Sequence, residues 1–192
     1  MGNREDLIAG AKRCLLDKGY AATTARDIAA ASGVSLAAIG YHFGSKEALM
    51  NQAVYDSVGD WAEELQRAVA AGTPPGASQR EKFEAAIGHT LESFGGPSRG
   101  LWAAQLELVG LAQRHEQLRE FLAGVQEFAG QGLAEMFAGI DSQAGSAESR
   151  GAGYVMHALF IGLLAKFMLD QDQAPAAGEL TDGLRAIAGR LG

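Results

Sequence analysis

The side chains best suited to bind an anion lie close together near the N-terminus of the sequence. Hydroxyl, imidazole and ammonium groups all donate hydrogen bonds to phosphate oxygens, and some stand where a helix is expected to begin. The residues concerned are Thr24, Ser35, Tyr41, His42 and Lys46. Arg26 adds a guanidinium, the group that most often reads guanine in duplex DNA. These residue types could contact a nucleic-acid backbone.

Metal and catalytic chemistry find less support. The other histidines, His89, His115 and His157, fall on three different predicted helices, with no HExxH motif and no cysteine partner. His89 and His157 are best explained as core histidines, with a hydrogen bond to a ligand as the alternative. Glu107 stands among apolar residues, but no nucleophile and base occur at a useful spacing. We therefore expect no metal, no cofactor and no enzyme active site.

Two short helices are expected to present the anion-binding side chains. Thr24 can cap the first through a capping box with Asp27, and Gly33 ends it. Ser35 can cap the second, which runs to about Phe43. Two short helices joined by a glycine are typical of a helix-turn-helix, whose second helix meets base edges in the major groove. The face of this helix offers Ser35, Leu36, Ala37, Ala38, Gly40, Tyr41 and His42.

Helical periodicity extends along nearly the whole chain. Apolar residues recur at spacings of three and four, and glycine and proline interrupt the pattern at residues 72–78 and 95–98. A long helix is expected from Lys46 to about Ala71, with Ser45 as its cap. Alternation typical of strands is absent from the sequence. The patterns predict an all-α fold of about nine helices.

Charge is distributed unevenly along the 192 residues. Residues 1–50 hold six basic and five acidic groups, a net of +1, whereas residues 51–192 hold ten and eighteen, a net of −8. The overall charge of −7 therefore does not exclude an N-terminal DNA-binding head. Cys14 is the single cysteine, which favours a reducing compartment. No secretory signal is evident, and Lys166 and His157 interrupt the most apolar stretch, so we expect a cytoplasmic protein with no membrane partner.

The segment from about residue 5 to residue 50 resembles the DNA-binding head of the TetR family of bacterial transcriptional regulators. The resemblance is carried by Gly19-Tyr20, Thr23-Thr24, Ile28-Ala29, Gly33-Val34-Ser35, Ile39-Gly40-Tyr41-His42-Phe43 and Ser45-Lys46-Glu47. Gly40 departs from the family pattern, in which many members carry a tyrosine, and this removes one possible groove contact. The resemblance implies a helix-turn-helix DNA-binding domain over residues 1–47. It also implies an effector-binding and dimerisation domain over residues 48–192.

A ligand-responsive regulator is the function that this resemblance implies, most simply a repressor that a small molecule releases from its DNA operator. Few charges are expected in the pocket, so the effector should be mainly apolar. Candidate ligand-binding residues are Trp61, His89, Phe94, Trp102, Gln105, Leu106, Glu107, Met136, Met156, His157 and Phe160. Most of these side chains are equally suited to a helical core. The alternative interpretation is a helical ligand-binding or enzymatic domain whose N-terminal motif is structural only.

A homodimer is expected through the last two helices. The final helix repeats leucine or isoleucine at spacings of four, three and four, and the preceding helix is apolar on more than one face. One face can pack within the chain, and a partner chain is the expected cover for the other. Gly153 and Gly162 would allow close approach there. The pattern therefore predicts a two-fold four-helix interface.

Overall fold

The computed structural model describes residues 2–140 and 146–191, and within these ranges it contains nine α-helices and no strand. The helices are α1 (Asn3–Lys18), α2 (Ala25–Ser32), α3 (Leu36–Phe43), α4 (Lys46–Gly72), α5 (Gln79–Gly95), α6 (Arg99–Ala112), α7 (Glu116–Leu133), α8 (Ala147–Leu169) and α9 (Ala177–Ala188). A π-helical turn at Ala134–Ala138 follows α7, and a short 3-10 turn at Gln171–Gln173 precedes α9. The all-α prediction is confirmed.

Local hydrogen bonds explain where the short helices begin and end. The Thr24 hydroxyl accepts from the backbone N–H of Asp27, and the Asp27 carboxylate accepts from the backbone N–H of Thr24, at 3.2 and 2.9 Å. This is the predicted capping box at the start of α2. Gly33 ends α2 in the left-handed conformation with φ 70°, which a residue with a Cβ rarely adopts. The Ser45 hydroxyl accepts from the backbone N–H of Ala48 at 3.0 Å and caps α4.

The chain divides into two compact units. The first consists of Met1–Ala62 and Pro97–Arg119, and the second of Glu63–Gly96 and Glu120–Gly192. The first unit includes α6 because this helix packs on α1.

The core of the first unit is built on apolar residues of α1 at spacings of three and four. Leu7, Ala11, Cys14 and Leu15 are buried, together with Ile28 of α2 and, on the following helices, Ile39, Leu49, Met50 and Val54. Burial, reinforced by the nearby Asp27 carboxylate, raises the pKa of the Cys14 thiol. Cys14 therefore fills the core as a small neutral side chain.

Gly100 allows α6 to lie directly against the backbone of α1. A Cβ at this position would stand 2.2 Å from the carbonyl oxygen of Leu16, a distance that no side chain can occupy. Around Gly110, on the same helix, a Cβ would meet open space apart from the neighbouring backbone of α6 itself. The two glycines thus form a natural comparison between a required glycine and a replaceable one.

Gly100→Ala is expected to lower the free energy of unfolding by about 2–3 kcal/mol, since the methyl group forces α6 away from α1. Gly110→Ala should instead raise it by up to about 1 kcal/mol, because alanine is the better helix former. Urea unfolding followed by circular dichroism measures both. Equal effects of the two substitutions would contradict the close α1–α6 contact.

The second unit has an aromatic core and a tight helix crossing. The Phe94 ring lies 5.5 Å from that of Phe160 and 5.7 Å from that of Phe167, measured between ring centroids. At the crossing of α7 and α8, a Cβ on Gly153 would lie 2.9 Å from the carbonyl carbon and oxygen of Gly130. Gly153 therefore serves packing within the chain, and its predicted role at a partner contact is wrong. Gly162 has open space around it, and its predicted role is untested.

Helix α8 is apolar over most of its length but poorly covered. By length and composition it is the one helix in the described residues that could cross a membrane, and only 22% of its most apolar window is buried. A helix of a soluble protein that packs against a partner meets the same length and composition requirements. Much of the apolar surface of α8 is therefore exposed in the single chain.

Candidate nucleic-acid interface

Helix α3 presents most of the predicted DNA-binding residues to solvent. Tyr41 is 86% exposed, Leu36 is 49% exposed, and Ser35, Ala37 and Gly40 are exposed as well. Ala38 and His42 are half-buried, and the Tyr41 and His42 rings meet edge to face with centroids 4.9 Å apart. The opposite side of the helix carries Ile39, which is buried. One side of α3 thus anchors the helix while the other is free to enter a groove.

Hydroxyl groups at the helix starts differ in their availability. Ser35 occupies the N-cap of α3 but makes no capping hydrogen bond through its side chain. Its hydroxyl can therefore donate to a phosphate oxygen near the positive end of the helix. Thr24 donates its hydroxyl hydrogen to the Asp27 carboxylate at 2.7 Å. This hydroxyl therefore stabilises the start of α2. Arg26 is exposed on α2.

Asp27 keeps its charge because two neighbours stabilise the carboxylate. Hydrogen bonds from the Lys18 ammonium and from the Thr24 hydroxyl and backbone hold the pKa of Asp27 well below its usual range. A carboxylate with a lowered pKa contributes stability at neutral pH, and that stability is lost as the pH falls toward the lowered pKa. The capping box therefore stays intact throughout the physiological range.

Lys46 lies at the start of α4 but turns partly inward. Its ammonium donates to the Thr23 carbonyl oxygen at 3.2 Å, stands 3.4 Å from the Glu47 carboxylate, and lies 5.8 Å from the centroid of the Tyr20 ring. The sequence predicts a phosphate contact for this charge, and the structure adds a second role that the sequence does not predict. Lys46 ties the start of α4 to the residues just before α2.

Tyr20 links the turn between α1 and α2 to α4. Its hydroxyl donates to the Asn51 side-chain oxygen at 2.7 Å. Burial, with a smaller effect of the Glu47 charge, raises the pKa of Tyr20 to about 12, so the hydroxyl remains a donor at all physiological pH values. Arg4 makes another contact that the sequence does not reveal, with its guanidinium 5.2 Å from the centroid of the Phe43 ring. This contact joins the start of α1 to the end of α3.

Glu107 occupies a different environment from the one predicted. Its carboxylate accepts hydrogen bonds from the backbone N–H groups of Tyr20 and Ala21, at 3.0 and 3.2 Å. Both of its oxygens are therefore engaged with the turn between α1 and α2. The prediction that Glu107 orients an effector is not supported by this geometry. Its partners lie 86 and 87 residues away along the chain, which is why no local pattern could reveal them.

The predicted ligand-binding residues are divided between the two compact units. The first unit holds Trp61, Trp102, Gln105, Leu106 and Glu107, and the second holds His89, Phe94, Met136, Met156, His157 and Phe160. Trp61 and Trp102 are buried and pack edge to face with centroids 4.9 Å apart. Gln105 and Leu106 on α6 are half-buried, as are His89 on α5 and Met136 in the π-helical turn.

Open spaces lined by described residues of the second unit include a void, a cleft and a groove. The smallest, about 10 Å³, is lined by apolar core residues including Met156 and Phe160, with Thr90 as the polar member. A cleft of about 300 Å³ between α7 and α8 includes His157, whose pKa is lowered by burial. A groove of about 660 Å³ follows α8 and the start of α9. Met156, Phe160 and His157 are thus the predicted residues that line an open space in these three sites.

Metal binding finds no support in the described ranges, where no group of three or more histidine, cysteine, aspartate or glutamate side chains could hold an ion. Cys14 is a buried free cysteine and belongs to no such group.

Comparisons with known proteins place the similarity in the N-terminal region. Residues 7–53 match the family model described as "Bacterial regulatory proteins, tetR family". The transcriptional repressor AcnR of Corynebacterium efficiens is 41% identical over 49 residues, which are 26% of this chain and 26% of AcnR. AcnR of Corynebacterium glutamicum is 43% identical over 47 residues, 24% of this chain and 25% of that protein. The alignments therefore span about a quarter of the length of these curated relatives.

Solved structures resemble nearly the whole chain in fold. A Rhodococcus sp. protein assigned to the TetR-family transcriptional regulators has a TM-score of 0.71 at 22% identity, covering 97% of this chain and 98% of that one. The multidrug binding protein EbrR, in complex with proflavin, has a TM-score of 0.63 at 24% identity, covering 96% and 99%. FadR of Bacillus halodurans, a fatty acid degradation regulator, has a TM-score of 0.58 at 16% identity, covering 95% and 92%. At these identities the likeness shows the fold alone.

Proposed function

We propose that this chain, whose residues 7–53 match the tetR family of bacterial regulatory proteins, is a ligand-responsive transcriptional repressor without enzymatic activity. It acts in the cytoplasm as a homodimer that binds operator DNA. The observation that carries the proposal is the exposed face of α3, with Ser35, Ala37 and Tyr41 directed to solvent beside an intact helix-turn-helix. The AcnR relatives, which are transcriptional repressors, support repression rather than activation.

Recognition of DNA would combine phosphate contacts with a small number of base contacts. Ser35, Tyr41, His42 and the part of Lys46 that remains exposed can donate to phosphates, whereas Ala37 and its neighbours can touch thymine methyl groups. Guanine requires a forked donor, and the Arg26 guanidinium is the nearest one. Base reading by this helix thus depends on few groups and on the shape of the duplex.

Binding to DNA upstream of the gene for this protein tests the proposal. The chain should bind such a fragment with a dissociation constant at least about 10³-fold lower than that for a fragment of shuffled sequence at the same salt concentration. Equal, strongly salt-dependent binding to both fragments would indicate sequence-independent association and would favour the alternative in which the helix-turn-helix is structural only.

The effector is proposed to be a mainly apolar small molecule that enters the core of the second unit around Met156 and Phe160. The void at this site, about 10 Å³, holds no more than one water, so a ligand must displace core side chains to enter. The proflavin complex of EbrR, whose fold this chain shares, supports an aromatic ligand. An effector that favours the DNA-free conformation by about 3 kcal/mol would weaken operator affinity by about two orders of magnitude.

The dimer is proposed to form through α8 and α9. Exposed apolar side chains on these helices and just beyond their ends include Tyr154, Val155, Leu169, Ile187 and Leu191. The groove of about 660 Å³ lies along the same two helices, with the open position at Gly162 in its lining. A second copy with the same apolar stripes would fill this surface and cover the poorly buried face of α8.

Val155→Asp is expected to convert the dimer into a monomer at micromolar concentration, because a buried, unpaired carboxylate would be placed in the interface. Val155 is 58% exposed in the single chain, so the substitution should leave the monomer folded. Val109→Asp makes the same change at a 43% exposed site on α6 and should leave the dimer intact. Sedimentation equilibrium distinguishes these outcomes. A wild-type monomer, or a dimeric Val155→Asp variant, would contradict the proposed interface.

A further inference from the structure

The turn between α1 and α2 presents two neighbouring backbone N–H groups that neither helix can satisfy. Tyr20 and Ala21 lie after the last residue of α1 and before the cap of α2. Gly19, with φ 83°, turns the chain so that the next two N–H groups face the same side. Consecutive N–H groups in such a turn form a concave site for an anion. In this protein the anion is the Glu107 carboxylate of α6.

Gly19 also makes room for that carboxylate. A Cβ on Gly19 would stand 3.2 Å from a Glu107 carboxylate oxygen, closer than most side-chain contacts. The glycine is therefore required twice, for its left-handed backbone and for the approach of α6. A charged acceptor on two N–H groups is stronger than a neutral one, which explains a glutamate where a glutamine would supply a single carbonyl oxygen.

The same turn determines where α2 begins. The buried Thr23 hydroxyl donates to the Gly19 carbonyl oxygen at 2.6 Å, and the Thr23 carbonyl oxygen accepts from Lys46. Tyr20 is held at its hydroxyl by Asn51 and at its N–H by Glu107. The helix-turn-helix is thus anchored at its entrance to α4 and to α6. Glu107 is the anchor that comes from a distant part of the sequence.

We infer that Glu107 is a positioning residue for operator binding, which it serves by holding the entrance of the helix-turn-helix through two backbone hydrogen bonds. This inference rests on the proposed function. Glu107 does not touch DNA in this scheme. Its loss should lower affinity for a specific duplex, because the recognition helix is no longer held in one orientation, and should leave sequence-independent binding unchanged because the phosphate-contacting groups are all retained.

The experiment compares Glu107→Ala and Glu107→Gln with the wild type and with Glu116→Gln. The control removes the charge of an exposed glutamate in the same compact unit. Backbone amide exchange is measured by NMR in the free protein. Affinity is measured for a duplex that the wild type selects from a random pool and for a shuffled duplex. Glu107→Ala should speed exchange at Tyr20 and Ala21 by about tenfold and weaken specific binding by about tenfold, with Glu107→Gln intermediate.

Two results would overturn the inference while wild-type selection remains intact. One is unchanged exchange at Tyr20 and Ala21 in Glu107→Ala, which would mean that the hydrogen bonds are not formed in solution. The other is faster exchange with unchanged specific affinity, which would mean that the bonds do not position the recognition helix. A wild-type chain that selects no sequence would overturn the proposed function, and with it the positioning role, even if exchange responds as expected.

Discussion

Ala37→Glu is expected to weaken binding to a selected operator by about 100-fold or more. Ala37 is exposed near the start of α3, on the side that would face the bases. A carboxylate at this position would be desolvated without a partner and repelled by the phosphates on both sides of the groove, at a cost of about 3 kcal/mol or more. Glutamate is a good helix former, so α3 should remain folded.

Ala70→Glu is the matched control. Ala70 is an exposed residue of α4 that belongs to the second compact unit. The control adds the same charge to the chain and therefore reports any general effect of a more negative protein on association with DNA. It should change the dissociation constant by less than about threefold, measured by fluorescence anisotropy at one salt concentration. An equal loss in both variants would mean that α3 does not contact the duplex.

Trp102→Ala is expected to lower the free energy of unfolding of the first unit by about 4 kcal/mol. Trp102 is 1% exposed, and its ring packs edge to face against that of Trp61. Removal of the indole leaves a cavity next to a second large aromatic side chain, and large-to-small changes in such sites carry both a transfer and a cavity cost. If Trp102 were instead the ligand contact that the sequence suggests, its loss would abolish the ligand response and preserve operator binding.

Urea unfolding separates these two outcomes for Trp102. Tyr154→Ala provides the comparison, since it removes an aromatic ring that is 79% exposed in the single chain and should cost less than about 0.5 kcal/mol there. Tyr154→Ala is measured at a protein concentration low enough to give monomers. Dimerisation then makes no contribution to its free energy of unfolding. A Trp102→Ala variant as stable as wild type would contradict the core role of Trp102 and favour a ligand contact.

Local features of this fold could be predicted from sequence because their causes are local. Thr24, Asp27 and Gly33 form a cap and a terminator within ten residues, and the structure has α2 at the predicted bounds. The start of α4 at Lys46 follows in the same way from Ser45. The resemblance over about residues 5–50 is likewise carried by short matches, and the family model, which matches residues 7–53, confirms it.

Contacts between distant segments could not be predicted in this way. In the sequence, Glu107 is an acidic residue among apolar ones. Only the packing of α6 on α1 brings its carboxylate to the turn between α1 and α2. Gly100 and Gly153 read as ordinary small residues in helices, yet each allows a backbone contact with a distant helix. The ligand-binding residues stay a prediction for the same reason, since apolar periodicity identifies buried residues but does not say which of them share a cavity.

Selection of bound duplexes from a random-sequence pool is the most direct test of whether this chain is a sequence-specific DNA-binding dimer. The enriched duplexes are predicted to contain two half-sites related by a two-fold axis, with centres about 10 base pairs, or a multiple of that, apart. Each mismatch within a half-site should cost about 1–3 kcal/mol. A pool that shows no enriched sequence after repeated rounds, with binding that depends on salt alone, would contradict the proposed function.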